Sequence, residues 1–145
     1  MRRTAYLMCR DWHLAQDLVQ TALTRMYASW PKVRRAQSLE AYSRRVLMNA
    51  VFDLRNRRSG SELVLADLPD RPVTGAAPEL HVALMRALAT LPVRDQAIVV
   101  LRHWEDHSVE TVAAILDVSP SVVKTQSMRA LARLRELLGE DFTAA

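Results

Sequence analysis

Residues 108–138 read "SVETVAAILDVSPSVVKTQSMRALARLRELL", two helical patterns separated by a short turn. In the first, Ala113 stands where close approach of two helices demands a small residue, and Ile115 and Val118 face inward around the turn. In the second, Ser119 is a good N-cap, and Pro120 takes the first helical position, where no amide donor is needed. Val123 seats the second helix against the first. A helix start fixed this sharply suits an element that must enter a groove in one register. The pattern is that of a helix-turn-helix.

Wheel arithmetic separates the faces of the second helix. Val123, Ser127, Ala130, Leu131, Leu134 and Leu138 form a core stripe. Ser121, Lys124, Thr125 and Met128 recur at i, i+3, i+4 and i+7 on another face, with Gln126, Arg129 and Arg133 beside it. Lys124, Arg129, Arg133 and Arg135 all precede the first acid, Glu136. Alone, such a helix reads as a solvated basic face. Behind a packed helix and turn it reads as a DNA-recognition helix, its N-terminal residues at base edges and its cations on phosphates. Lys124 suits guanine acceptors, Gln126 suits adenine, and Thr125 or Met128 can pack on a thymine methyl.

Working outward, the 145 residues suffice for one ordinary domain or two small helical ones. Three glycines and an abundance of Ala, Leu and Arg favour an all-α protein. The net charge of +4 is unevenly placed. Residues 1–58 hold 12 Lys and Arg against 4 Asp and Glu, whereas residues 79–145 hold 7 against 9. A basic first half points to a polyanion, nucleic acid above all. Cys9 is the one cysteine, so neither an intramolecular disulfide nor a multi-cysteine metal site can form; it reads as a small buried hydrophobe in a reducing cytoplasm. No apolar run approaches a membrane span, and "MRRTAYLMCRDW" lacks the h-region of a signal peptide. A cytoplasmic protein with no membrane contact is expected.

Apolar spacing over residues 5–30 is helical, with Leu7, Leu14, Leu18, Ala22 and Met26 in step and a break at Asp11. Pro31 is expected to end the second of these helices, and "KVRRAQS" to follow as a polar connector. A further helix is expected over residues 39–57, with Tyr42, Val46, Ala50 and Leu54 on one face. Residues 59–78 contain two of the three glycines and three of the six prolines and show no period, which marks a flexible linker. "ELHVALMRALATL", "RDQAIVVLRHWED", "VETVAAILDV" and the stretch from Ser119 supply four more helices. The expected architecture is two small all-α domains, residues 1–58 and 79–139, followed by a tail at 140–145.

The first module carries seven arginines from Arg34 to Arg58 against Glu40 and Asp53, with Trp30, Tyr42 and Phe52 among them. Cations along a backbone and rings that stack bases suit single-stranded nucleic acid, while each ring could equally fill the core. Asn49 is either a buried hydrogen-bonding residue or a base reader.

"DWHLAQDLVQTALTRMYASWPKV", "AYSRRVLMNAVFDLRNRR" and "LPVRDQAIVVLRHWEDHSVETVAAILDVSPSVVKTQSMRALARLREL" together resemble the extracytoplasmic-function sigma factors of the sigma-70 family. The likeness is to the actinobacterial SigE-like group and covers nearly all of the chain outside the linker. It implies the two-domain specificity subunit of bacterial RNA polymerase: a region 2 helical bundle over residues 1–58 and a region 4 helix-turn-helix over residues 79–139. By that resemblance, Asp17, Leu18 and Gln20 match the part that docks on the clamp coiled coil of the polymerase core. "KVRRAQSL", with Lys32, Arg34 and Arg35, matches the loop that captures a flipped base of the melted non-template strand. Tyr42, Arg45 and Asn49 match the helix that supports melting there. Ser121, Lys124, Thr125, Gln126 and Met128 match the helix that reads the upstream promoter element as duplex, and Arg129 matches a phosphate contact, with Arg133 beside it.

The chain departs from the family pattern in places. A glycine commonly sits near Asp117, whose carboxylate tolerates a left-handed turn better than most side chains. Pro120 is unusual at its position, and family members usually have another turn or more of first helix ahead of "MRRTAYL". Lys124 and Gln126 replace frequent arginines, so the promoter preference does not carry over. The resemblance also makes an anti-sigma partner plausible. "FTAA" resembles tails taken by ATP-dependent proteases, through Ala144 and Ala145.

Other classes fit less well. His103 and His107 are four apart, but a zinc protease needs its acid directly after the first histidine. No metal or cofactor is expected. With Gly60, Gly75 and Gly139 isolated, a phosphate cradle cannot form, and no nucleophile–base set is present, so an enzyme is not expected. The alternative is a helix-turn-helix regulator that binds duplex without polymerase; a wholly helical, basic first module weighs against a receiver domain.

Overall fold

A computed structural model of the chain describes residues 1–58 and 78–139, and all regular structure among them is helical. The expected linker, Pro78 excepted, and the expected tail at 140–145 lie outside the described residues. The first module has α1 (Arg2–Cys9), α2 (Trp12–Ala28), α3 (Trp30–Arg35) and α4 (Leu39–Arg58). The second has α5 (Pro78–Thr90), α6 (Val93–Val99) running on into a π-helical turn (Val100–Trp104), α7 (Val109–Leu116) and α8 (Pro120–Leu138).

The corner between α1 and α2 is built by Arg10 and Asp11. Arg10 ends α1 in the left-handed region at φ 60, and the Asp11 carboxylate accepts from the His13 and Leu14 amides, capping α2. Trp12 opens α2 just past the expected break at Asp11, and its ring stacks on Tyr6 with centroids 4.0 Å apart.

Pro31 does not end α2, and "KVRRAQS" is not all connector. The helix closes at Ala28, and Pro31 lies in the first turn of α3, where its missing N–H costs nothing. Ser38 then opens α4, its hydroxyl accepting from the Ala41 amide at 3.1 Å. The buried face of α4 runs through Ser43, Leu47, Ala50 and Val51; of the expected stripe Ala50 is buried, and Val46 and Leu54 pack partly against the core. Leu47 and Met48 are wholly buried, each contributing about 1.5–3 kcal/mol against exposure.

The two modules share one apolar core. Met8, Leu47 and Met48 of the first join Met85, Leu88, Ile98, Leu101 and Ile115 of the second. Beside this core α4 packs along α7, and α1 lies against α6 and the π-turn. Polar groups close the seam. Gln96, wholly buried in α6, donates from Nε2 to the Leu7 carbonyl at 2.9 Å, while Arg55 donates to the Met8 carbonyl at 2.8 Å. Both bonds satisfy carbonyls at the end of α1 that have no intrahelical partner.

Candidate nucleic-acid interface

The helix-turn-helix forms as the sequence requires. Ser108 caps α7, its hydroxyl accepting from the Thr111 amide at 3.1 Å. Asp117 closes the helix in the left-handed conformation, φ 56 and ψ 50, and the Val118 amide reaches back to the Ala113 carbonyl at 3.0 Å. Ser119 caps α8 through the Val122 amide, with Pro120 first in the helix. Asp117 thus serves where a glycine is common.

On α8, Val123, Ser127, Ala130 and Leu134 are buried, with Leu131 and Leu138 half-buried beside them. Ser121, Lys124, Thr125 and Met128 are exposed together, and Met128 is 74% exposed. An exposed thioether between a lysine and a threonine makes a surface with an apolar centre and donors at its edge. Gln126 departs from expectation. Its Oε1 is buried with no hydrogen-bond partner, so the amide turns away from the exposed face. A residue two positions past Lys124 lies about 200° round the helix, which is the reason.

Arg129 and Arg133 are both exposed but differently tied. Arg129 donates from Nη2 to both oxygens of Asp95 on α6, whereas Arg133 reaches only the exposed Glu136 at 3.4 Å. Beneath the helix, His103 meets the Ser127 hydroxyl at 3.3 Å. Burial, aided by neighbouring Arg102, lowers the His103 pKa.

In the first module, Lys32, Arg34 and Arg35 are exposed on α3, which aims three cations outward from one short helix. Arg35 is steadied by its Nε bond to the Pro31 carbonyl at 3.0 Å. Tyr42 and Arg45 of α4, with Gln37 and Ser38 just before it, line one wall of a groove of about 420 Å³. Asn49 is exposed one turn beyond Arg45, so the buried alternative for Asn49 fails. Trp30 is 49% exposed and does not fill the core, while Phe52 packs against it.

The expected docking residues on α2 divide. Asp17 and Gln20 are exposed, but Leu18 is 4% exposed and belongs to the core. The exposed apolar residues of that helix are Leu23 and Tyr27, the latter 84% exposed. With Asp17 and Gln20 they recur at i, i+3, i+6 and i+10, one stripe that the sequence reading did not extend past Gln20.

The histidines do not meet as a pair. His107 lies with Glu40 and Glu105 in a group whose candidate ligand atoms fall within 4.8 Å of one another. Arg44 is already on Glu105 at 2.7 Å, so the carboxylate there is compensated within the protein.

A family profile described as Sigma-70 region 2 matches residues 1–60, and one described as Sigma-70, region 4 matches residues 81–134. The RNA polymerase sigma-E factor of Streptomyces coelicolor is 41% identical over 98% of this chain and 82% of its own length. This chain belongs to the sigma-70 family of RNA polymerase sigma factors, as an extracytoplasmic-function member of the SigE-like group. The extracytoplasmic-function sigma factor SigM of Mycobacterium tuberculosis is 31% identical over 96% of the chain and 71% of its own length. Among solved structures, the sigma factor RpoE in complex with the anti-sigma factor NepR, from Bartonella quintana, matches with a TM-score of 0.81 at 25% identity. That match covers 94% of this sigma factor and 88% of the other chain, so it spans both helical domains. Region 2 corresponds to α1–α4, and region 4 takes in most of α5 through most of α8.

Proposed function

We propose that this sigma factor binds the polymerase core through the exposed stripe of α2 and holds a promoter at two places. The N-terminal face of α8 reads the upstream element as duplex, Lys124 and Met128 at base edges and Arg129 and Arg133 toward phosphates. The corner of α3 and α4 takes the melted non-template strand: Lys32, Arg34 and Arg35 follow its backbone, and Tyr42 and Arg45 receive an extruded base. Extrusion costs a few kcal/mol, which ring stacking and hydrogen bonds in a fitted site offset.

The observation that carries this reading is the exposure of Ser121, Lys124, Thr125 and Met128 as one face on a helix whose start is capped and whose back is buried. A duplex-only regulator needs that face too, but it needs neither the basic α3–α4 corner nor the α2 stripe. The protein works by binding alone, in the cytoplasm; among the described residues no helix is long and apolar enough to cross a membrane.

Two further partners belong to this reading. An anti-sigma factor is supported by the likeness to a chain solved with one. An ATP-dependent protease acting at Ala144 and Ala145 rests on the sequence of the tail alone, which lies outside the described residues. Aspartates at both positions should lengthen the cellular half-life.

Run-off transcription with bacterial core polymerase over a promoter library tests the main reading. Transcripts that depend on this protein support it, together with one-to-one core binding. Tight, core-independent duplex binding without transcripts sinks it in favour of the regulator.

A further inference from the structure

Arg10 is a buried cation without an anion. The residue is 8% exposed, its Nε is buried with no hydrogen-bond partner, and its side chain makes no ion pair among the described residues. An ionised group taken this far out of water is costly unless a counter-charge meets it. The backbone adds to that cost. Arg10 closes α1 at φ 60, a left-handed position where glycine is the default residue and a Cβ is strained. Ending the helix needs no charge there.

A second guanidinium reaches the same corner. Arg55, in the last turn of α4, donates from Nη2 to the Met8 carbonyl at 2.8 Å, two residues before Arg10. Burial first, then the charges of Arg10 and Arg58, lower the Arg55 pKa, so the cations stand close enough to repel. No carboxylate among the described residues answers them. Asp11, next in the chain, holds the His13 and Leu14 amides instead. Cys9 and Tyr6 supply no anion either. Burial pushes the Cys9 thiol up to about 11 and raises the Tyr6 phenol, so both stay neutral near pH 7. The thiol also already donates to the Asp11 carbonyl at 3.3 Å.

We propose that this corner, between the end of α1 and the last turn of α4, binds a compact phosphoryl dianion, free phosphate or the terminal group of a nucleotide, between Arg10 and Arg55. A guanidinium presents paired N–H donors that match two oxygens of such a group. Enclosure of Arg10 selects a small tetrahedral anion over a duplex, whose phosphates run along an extended backbone. The site lies apart from the reading face of α8 and from the α3–α4 corner, so it goes beyond promoter recognition. Its occupant would tie α4 to the turn that starts α2.

Thermal melts of the full chain in inorganic phosphate, against chloride at equal ionic strength, test this. Wild type should gain roughly 3–6 °C, saturably, at ten times the phosphate Kd. Arg10→Gly should fold, melt no lower than wild type without phosphate, and lose the saturable gain; Arg10→Gln should lose that gain as well. A gain that rises without saturating and is equal in all three proteins is exclusion of phosphate from the surface, and it overturns the site. An Arg10→Gly melt well below wild type, with the phosphate gain retained, makes Arg10 a packing residue and overturns it too. The phosphorus NMR line of phosphate should broaden with wild type and stay sharp with either variant; equal lines overturn the site whatever the melts show. Adenosine monophosphate in place of phosphate identifies the source, either ligand supporting the site. Protection by a DNA duplex alone, lost in Arg10→Gln, would mean a backbone contact and overturn the compact-anion site.

Discussion

Arg129 Nη2 lies 3.0 and 3.2 Å from the two carboxylate oxygens of Asp95, whose side chain is 4% exposed while that of Arg129 is 62% exposed. One residue therefore faces two ways, anchoring α8 to α6 while most of its side chain stays exposed next to Met128. Arg129→Ala should weaken binding to all promoters alike and lessen the salt dependence, as a phosphate contact requires. It should also lower stability by about 1–3 kcal/mol, because a buried carboxylate loses its hydrogen-bond partner. Asp95→Asn in the same background should recover part of that stability without restoring DNA affinity. Chemical denaturation beside salt-titrated binding separates the two effects; a stability unchanged by Arg129→Ala removes the anchoring role.

Lys124 and Gln126 should behave differently despite their nearness in sequence. Lys124→Ala should relax discrimination at one base pair of the upstream element by about 1–3 kcal/mol. Gln126→Ala should leave discrimination alone, since its buried Oε1 faces inward. Binding to a panel of single-base promoter variants reads both, and a Gln126 effect equal to that of Lys124 contradicts the placement.

Leu18 and Tyr27 make a second contrast, on α2. Tyr27→Ala, or Asp17→Ala, should reduce core-polymerase affinity and leave the melting temperature nearly unchanged. Leu18→Ala should instead cost about 2–5 kcal/mol of stability, as a buried leucine replaced by alanine does. Titrating core polymerase against labelled variants, with thermal melts in parallel, distinguishes docking residue from core residue.

How far the sequence showed this follows from what each signal depends on. Caps and turns are local, so Ser119, Pro120 and Asp117 were legible, and the helix-turn-helix with them. The stripe of α4 was legible only in part, Ala50 being buried as expected, because α2 and α7 both pack along that helix and bury Ser43, Leu47 and Val51 as well. Leu18 was matched to a docking surface by resemblance, which carries over a motif position and not the side on which its side chain packs; its apolar spacing with Leu14 and Ala22 agrees with the buried position. The seam was invisible because Gln96, Arg44 and Glu105 read as ordinary polar residues until α6 and the π-turn are set against α1 and α4.

Asp117 and Asp106 both hold positive φ, 56° and 60°. Asp117 is exposed, so its carboxylate contributes little that water does not replace. Asp117→Gly should stabilise the protein by about 0.5–1 kcal/mol, because glycine enters the left-handed region without the Cβ clash. A melt shifted downward, with the helix-turn-helix otherwise intact, assigns the aspartate a structural part beyond its conformation.

Acid should open the seam through Glu105. Burial opposes its ionisation, but the Thr4 hydroxyl, Arg44 and His107 outweigh that and hold its pKa below the ordinary value of 4.5. The groups around it are Thr4 and the N-terminal amine from α1's end, Arg44 and Glu40 from α4, and His107 beyond the π-turn. A depressed carboxyl pKa stabilises the folded form above the ordinary carboxylate value, and that contribution disappears as pH falls below it. The stability difference between wild type and Glu105→Gln should therefore be full above about pH 4.5 and shrink progressively in more acid solution. A difference that holds constant down to the acid limit of folding means that Glu105 acts through shape and not through charge.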